Sequence, residues 1–70
     1  MPRDLKRSLT IAGHRTSLSL EPEFWAALRE AAKKQHKPLA TLVAEIDKRR
    51  GDRNLSSAIR VWLLEAAARR

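Results

Sequence analysis

The chain has 70 residues, with fifteen Lys or Arg against eight Asp or Glu, a formal charge of +7 and a pI near 11.2. That length allows one domain with a small core, and the lack of cysteine excludes disulfides and thiolate metal sites. His14 and His36 are the only histidines, and neither stands in a carboxylate cluster, so no metal and no cofactor are expected.

The basic balance favours an anionic partner, nucleic acid before the others. No stretch approaches the roughly 20 apolar residues of a membrane span. The apolar run "LTIA" near the start is too short for a signal peptide, so the cytoplasm is the expected compartment and no membrane partner is expected. Stabilising so small a chain without disulfides or metal requires a well-packed helical core or a second subunit.

Residues 1–7, "MPRDLKR", are polar and basic and read as a flexible arm, with Arg7 available to a phosphate. Residues 8–70 then form the single domain. Residues 8–20 alternate with period two, the mark of a strand, but the phase breaks at Ala12-Gly13-His14. A hairpin turn at Gly13-His14 would explain the break, with glycine first in a type II′ turn. It would set Ile11 opposite Thr16 and Leu9 opposite Leu18. A bulge in one longer strand is the alternative. Either way Thr16, Leu18 and Leu20 face the core, and Arg15, Ser17 and Ser19 face outward.

Residues 22–36 read as a helix. Pro22 suits the first helical position, and Glu21 and Glu23 suit the positive end of the dipole. Phe24, Leu28, Ala31 and Ala32 make an apolar stripe with Trp25 beside it. Lys37-Pro38 interrupts the pattern. Leu39, Leu42, Val43 and Ile46 then mark a second helix over 38–49, ended by "KRR" and Gly51. Asn54 is a good N-cap for a third helix, whose stripe is Leu55, Ile59, Trp62 and Ala66, extended by Val61, Leu63 and Leu64. This helix is apolar over more than one face, which points to a second copy of the chain covering it. No internal repeat and no low-complexity segment is expected.

Catalytic signatures are missing. No serine or threonine has an obvious base beside it, and two glycines cannot build a phosphate-binding loop. Neither an enzyme nor a small-molecule substrate is expected.

The fold class expected is mainly α with a short N-terminal β-ribbon and about three helices. Three segments, "GHRTSLSLEPEFWAALREAA", "LVAEID" and "RNLSSAIRVWLLE", together resemble the ribbon-helix-helix family of bacterial DNA-binding proteins, and within it a small subfamily with an extra helix. The resemblance runs from about Lys6 to Ala67. It implies an intertwined homodimer that binds double-stranded DNA, acting as a transcriptional repressor, with a β-ribbon in the major groove. A two-stranded ribbon fits that groove. Arg15, Ser17 and Ser19 would contact bases. The family holds a phosphate at the N-terminus of its second helix, as helix N-termini generally can. Two starts are candidates here: Arg53 with Asn54, Leu55 and Ser56, or Lys37 with residues 38–40. Leu18, Leu20, Phe24, Trp25, Leu28, Leu55, Ile59 and Trp62 would form the core and dimer interface.

A hairpin through Gly13 departs from the family's simple pattern. If each protomer pairs 8–12 with 15–20, the dimer's sheet would have four strands and be too wide for the groove. Two other functions fit the charge less well. One is a protein-interaction module or antitoxin-like adaptor on the same scaffold. The other is a basic protein at anionic membranes, whose dispersed cations argue against it.

Overall fold

The computed structural model describes residues 5–69. Strand β1 (Leu5–Ile11) pairs antiparallel with β2 (His14–Leu20), and three helices follow: α1 (Pro22–Lys34), α2 (Leu39–Arg49) and α3 (Leu55–Ala68). Leu5–Ile11 includes three residues expected in the arm. Leu5, Lys6 and Arg7 belong to the ribbon, and residues 1–4 of the arm lie outside the described residues.

The break in alternation is a hairpin, but its turn is Ala12-Gly13. Both residues have positive φ, 51° and 83°, which makes the turn type I′. The expected type II′ turn at Gly13-His14 is therefore corrected, and His14 is the first residue of β2. Ile11 faces His14, Leu9 faces Thr16, Arg7 faces Leu18 and Leu5 faces Leu20. The expected pairs of Ile11 with Thr16 and Leu9 with Leu18 are each displaced along the ladder. The twist of a type I′ turn matches that of the strands, and the local cost is an alanine in the left-handed region. The displacement moves partners without exchanging faces. Leu9, Ile11, Thr16, Leu18 and Leu20 still share the inner face, and Ile11, Leu18 and Leu20 are buried there.

Pro22 opens α1 as its residue type dictates, with Glu23 in the first turn and Lys33 and Lys34 in the last. Its end is closed by His36 in the left-handed conformation (φ 56°), where glycine is more usual, while the Lys37 amide donates to the Ala32 carbonyl at 3.0 Å. Trp25, Leu28 and Ala32 form the buried stripe. Helix α2 buries Leu42, Val43 and Ile46. Gly51, at φ 61°, turns the chain after it, and the Asn54 side chain caps α3 by accepting from the Ser57 amide at 2.8 Å.

One core joins all five elements. Trp25, Leu18, Leu20, Leu28, Leu42, Val43 and Ile59 are its largest fully buried side chains, and Phe24, Leu55 and Trp62 pack against it partly buried. The indole N–H of Trp25 donates to the Leu5 carbonyl at 2.8 Å, so the one polar atom of the largest core side chain is satisfied by the start of β1. Helix α3 is covered on one side only. Ala58 and Ile59 are buried, but Leu64 is 70% exposed. Two shallow clefts, of about 430 and 550 Å³, run beside it and share Ala27, Leu63 and Ala67.

Candidate nucleic-acid interface

The ribbon separates two kinds of side chain. Its inner face closes the core. Its outer face carries Lys6 opposite Ser19, Ser8 opposite Ser17 and Thr10 opposite Arg15. Period-two geometry forces this sorting, because neighbours along a strand point to opposite faces. All of these except the half-buried Ser19 are exposed. Arg15, Ser17 and Ser19 therefore share the outer face, as their spacing predicts. Ser8 and Thr10 of β1 lie beside them on the polar side, where the hairpin reading puts them, opposite Ser17 and Arg15 instead of Ser19 and Ser17, and Lys6 is the one residue added. The signal was available in the alternation of "KRSLT", but Lys6 fell within the supposed arm.

Backbone polarity on the ribbon follows from the turn. Its closing hydrogen bond makes Ile11 and His14 a bonded pair, and alternation along an antiparallel ladder turns the amides and carbonyls of Arg15, Ser17 and Ser19 away from β1. The Ser19 carbonyl meets α3 there. It accepts a 2.8 Å hydrogen bond from the Ser56 hydroxyl.

That contact brings the start of α3 against the ribbon. Ser56 occupies the first turn, and the amides of Leu55 and Ser56 have no partner within the helix, as in any helix N-terminus. Leu55 itself packs against the core. In the loop just before this end stand the exposed Arg50 and Arg53. Arg50 bonds both the Asp47 carboxylate and the Arg53 carbonyl, which fixes the loop between α2 and α3. Arg49, Arg50, Arg53 and Arg69 line, together with Glu65, a cavity of about 220 Å³ that runs along α3 beside α2. Electrostatically, the outer ribbon face with Lys6 and Arg15, and the α3 start with Arg53 before it, suit an anion.

The other phosphate candidates stand elsewhere. Lys37 is paired with Glu45 at 2.6 Å, and α2 has no side-chain cap at Pro38. Arg7 falls on the inner side of the ribbon, opposite Leu18, with its guanidinium 5.4 Å from the centre of the Trp25 ring. The structure thus separates Arg7 from Arg15 and Ser17 and gives it a cation–π partner. Glu21 and Arg60 pair at 3.0 Å where the ribbon passes into α1. A backbone hydrogen bond at Glu21, and after it the Arg60 guanidinium, hold the Glu21 carboxyl below its ordinary pKa.

Among the described residues no group of three or more His, Asp or Glu could hold a metal ion, and no helix is long and apolar enough to cross a membrane.

A family model described as a ribbon-helix-helix domain matches residues 5–67. Comparison with curated proteins and with solved structures gives no match.

Proposed function

The chain belongs to the ribbon-helix-helix family, and we propose that it is a non-enzymatic, cytoplasmic transcriptional regulator, a repressor that binds double-stranded DNA sequence-specifically as a homodimer. Domains of this family are in general DNA-binding, in transcription regulators and antitoxins. The observation that carries the reading is the outer ribbon face with the start of α3 fastened beside it. The face enters the major groove, where Arg15 bonds a guanine edge and Ser17 and Ser19 let the backbone approach the bases. The amides of Leu55 and Ser56, with Arg53 and the Asn54 cap, hold a flanking phosphate.

The two subunits meet through the uncovered side of α3. Leu64, Leu63 and Val61 lie along it with Phe24 and Ala27 of α1, and a chain this small gains most from burying them. Pairing β2 with its symmetry mate would give the four-stranded sheet that is too wide for the groove. Ser56 occupies the Ser19 carbonyl on that edge, which favours helix-mediated association.

The same uncovered α3 face supports a second reading, a protein-interaction module or antitoxin-like adaptor whose partner seats there. Selection of random duplex DNA by the purified protein at near-physiological salt separates the two. An enriched inverted repeat is expected. No enrichment by a folded, dimeric protein would leave the charge as non-specific attraction and favour the protein partner.

A further inference from the structure

The two strands of the hairpin are related to each other. Residues 6–11 read "KRSLTI" and residues 15–20 read "RTSLSL". With an offset of nine, Ser8 matches Ser17 and Leu9 matches Leu18. Lys6 matches Arg15, Thr10 matches Ser19 and Ile11 matches Leu20, each by a residue of like chemistry. Only Arg7 and Thr16 differ in kind. The observed register is what gives this short correspondence its meaning.

In that register Lys6 lies opposite Ser19, and Arg15 lies opposite Thr10, the residue equivalent to Ser19. Ser8 lies opposite its own equivalent, Ser17. A two-fold axis through the Ser8 and Ser17 pair therefore exchanges the strands, cation for cation and hydroxyl for hydroxyl. The inner face obeys the same axis. Leu9 and Leu18, and Ile11 and Leu20, all turn into the core. Strand β1 stands where a second copy of β2 would stand in a ribbon made from two chains.

We infer that one chain completes its own DNA-reading ribbon, and that Lys6, Ser8 and Thr10 of β1 contact bases together with Arg15, Ser17 and Ser19. This rests on the DNA-binding reading above and extends it to residues outside the family's single reading strand. Three observations hold β1 in that role. Trp25 bonds the Leu5 carbonyl, the Arg7 guanidinium covers the Trp25 ring, and the turn joins β1 directly to β2. Lys6, Ser8 and Thr10 are all exposed, so packing does not account for their chemistry. Successive outward residues on a strand are about 6.6 Å apart, close to two base-pair rises of about 3.4 Å each. Lysine can bond the acceptors of guanine, and threonine offers a hydroxyl and a methyl to an A·T pair.

The consequence concerns the target. Each half-site is itself approximately two-fold symmetric, with Lys6 and Arg15 reading equivalent positions on opposite strands. The test is duplex selection with the full chain and with Lys6→Ala, Thr10→Ala and Arg15→Ala, each checked for an unchanged thermal unfolding curve. We expect the wild type to enrich a motif, and Lys6→Ala to lose roughly tenfold discrimination at one base pair. Arg15→Ala should lose it at the symmetry-related pair, and Thr10→Ala at a third. An unchanged motif for Lys6→Ala and Thr10→Ala, beside a relaxed one for Arg15→Ala, overturns the inference and leaves the DNA-binding reading standing. Uniformly weaker binding by Lys6→Ala with the motif intact also overturns it, because it makes Lys6 a phosphate contact. A wild type that enriches nothing overturns both.

Discussion

The Ser56 hydroxyl donates a 2.8 Å hydrogen bond to the Ser19 carbonyl oxygen, fastening the first turn of α3 to the outer edge of β2. These residues are far apart in sequence, and in the proposed complex the contact would set where a phosphate held by α3 lies relative to bases read by the ribbon. Ser56→Ala leaves a strand carbonyl without its partner. A loss of about 0.5–1.5 kcal/mol is expected, read from the urea midpoint at unchanged slope. An unaltered midpoint would mean the bond contributes nothing in solution.

The hairpin turn uses alanine where the backbone needs positive φ. Ala12 sits at 51°. Asparagine followed by glycine is the preferred type I′ pair, so Ala12→Asn should stabilise by roughly 0.5–1 kcal/mol. His36→Gly should act in the same direction at the end of α1. Thermal unfolding checks both, and a lowered midpoint in either variant would show that the residue has a compensating role.

Leu64 is 70% exposed on the uncovered side of α3. In a monomer Leu64→Glu would be close to neutral. In the proposed dimer it places a charge in a desolvated contact. Sedimentation should show a dimeric wild type and a folded, monomeric variant. A wild type that is monomeric at tens of micromolar would remove the helix-mediated dimer.

Glu21 gives a pH prediction with a definite sign. Its carboxyl is held below the ordinary value of 4.5 by a backbone hydrogen bond and by Arg60. A depressed folded-state pKa contributes stability that is complete above the unfolded value and is lost as pH falls through the folded one. Glu21→Gln should therefore flatten the fall in stability below pH 4.5. An identical acid profile in wild type and variant would refute the pairing.

Much of this fold was legible in the chain. Pro22, Asn54 and Gly51 mark helix boundaries by their own backbone chemistry, and the expected stripes pack in α1 and α2, with Trp25 buried deeper than Phe24, while that of α3 packs through Leu55, Ile59 and Trp62 and leaves Ala66 exposed. Strand faces were legible for a different reason. Moving the turn from Gly13-His14 to Ala12-Gly13 changes every partner but no face, so Arg15, Ser17 and Ser19 point outward in either register. The turn itself was not legible, because alanine is a poor left-handed residue and gives no turn signal. The match of residues 6–11 with 15–20 is visible in the chain, but only the fixed register centres it on the Ser8 and Ser17 pair. Arg7 was misplaced because a basic N-terminal segment reads as a mobile arm until Trp25 is seen beneath it. The tie between Ser56 and Ser19 has no sequence signature, since it joins distant residues through packing alone.

Arg15 offers a test of base reading separate from affinity. Arg15→Ala should cost roughly 1–3 kcal/mol at one base pair and relax the preference there. Arg53→Ala should instead weaken binding to all sequences and lower the salt slope by about one ion. Binding titrations over a range of salt concentrations separate these outcomes. A uniform loss from Arg15→Ala would reassign that residue to the phosphates.

The most direct measurement is an amide chemical-shift map of the protein titrated with its selected duplex. Large shifts are expected at Lys6, Ser8, Thr10, Arg15, Ser17 and Ser19 and at the amides of Leu55 and Ser56, with the Leu63 and Leu64 side of α3 unaffected. Shifts concentrated on that side of α3, with a silent ribbon, would contradict base reading by the ribbon.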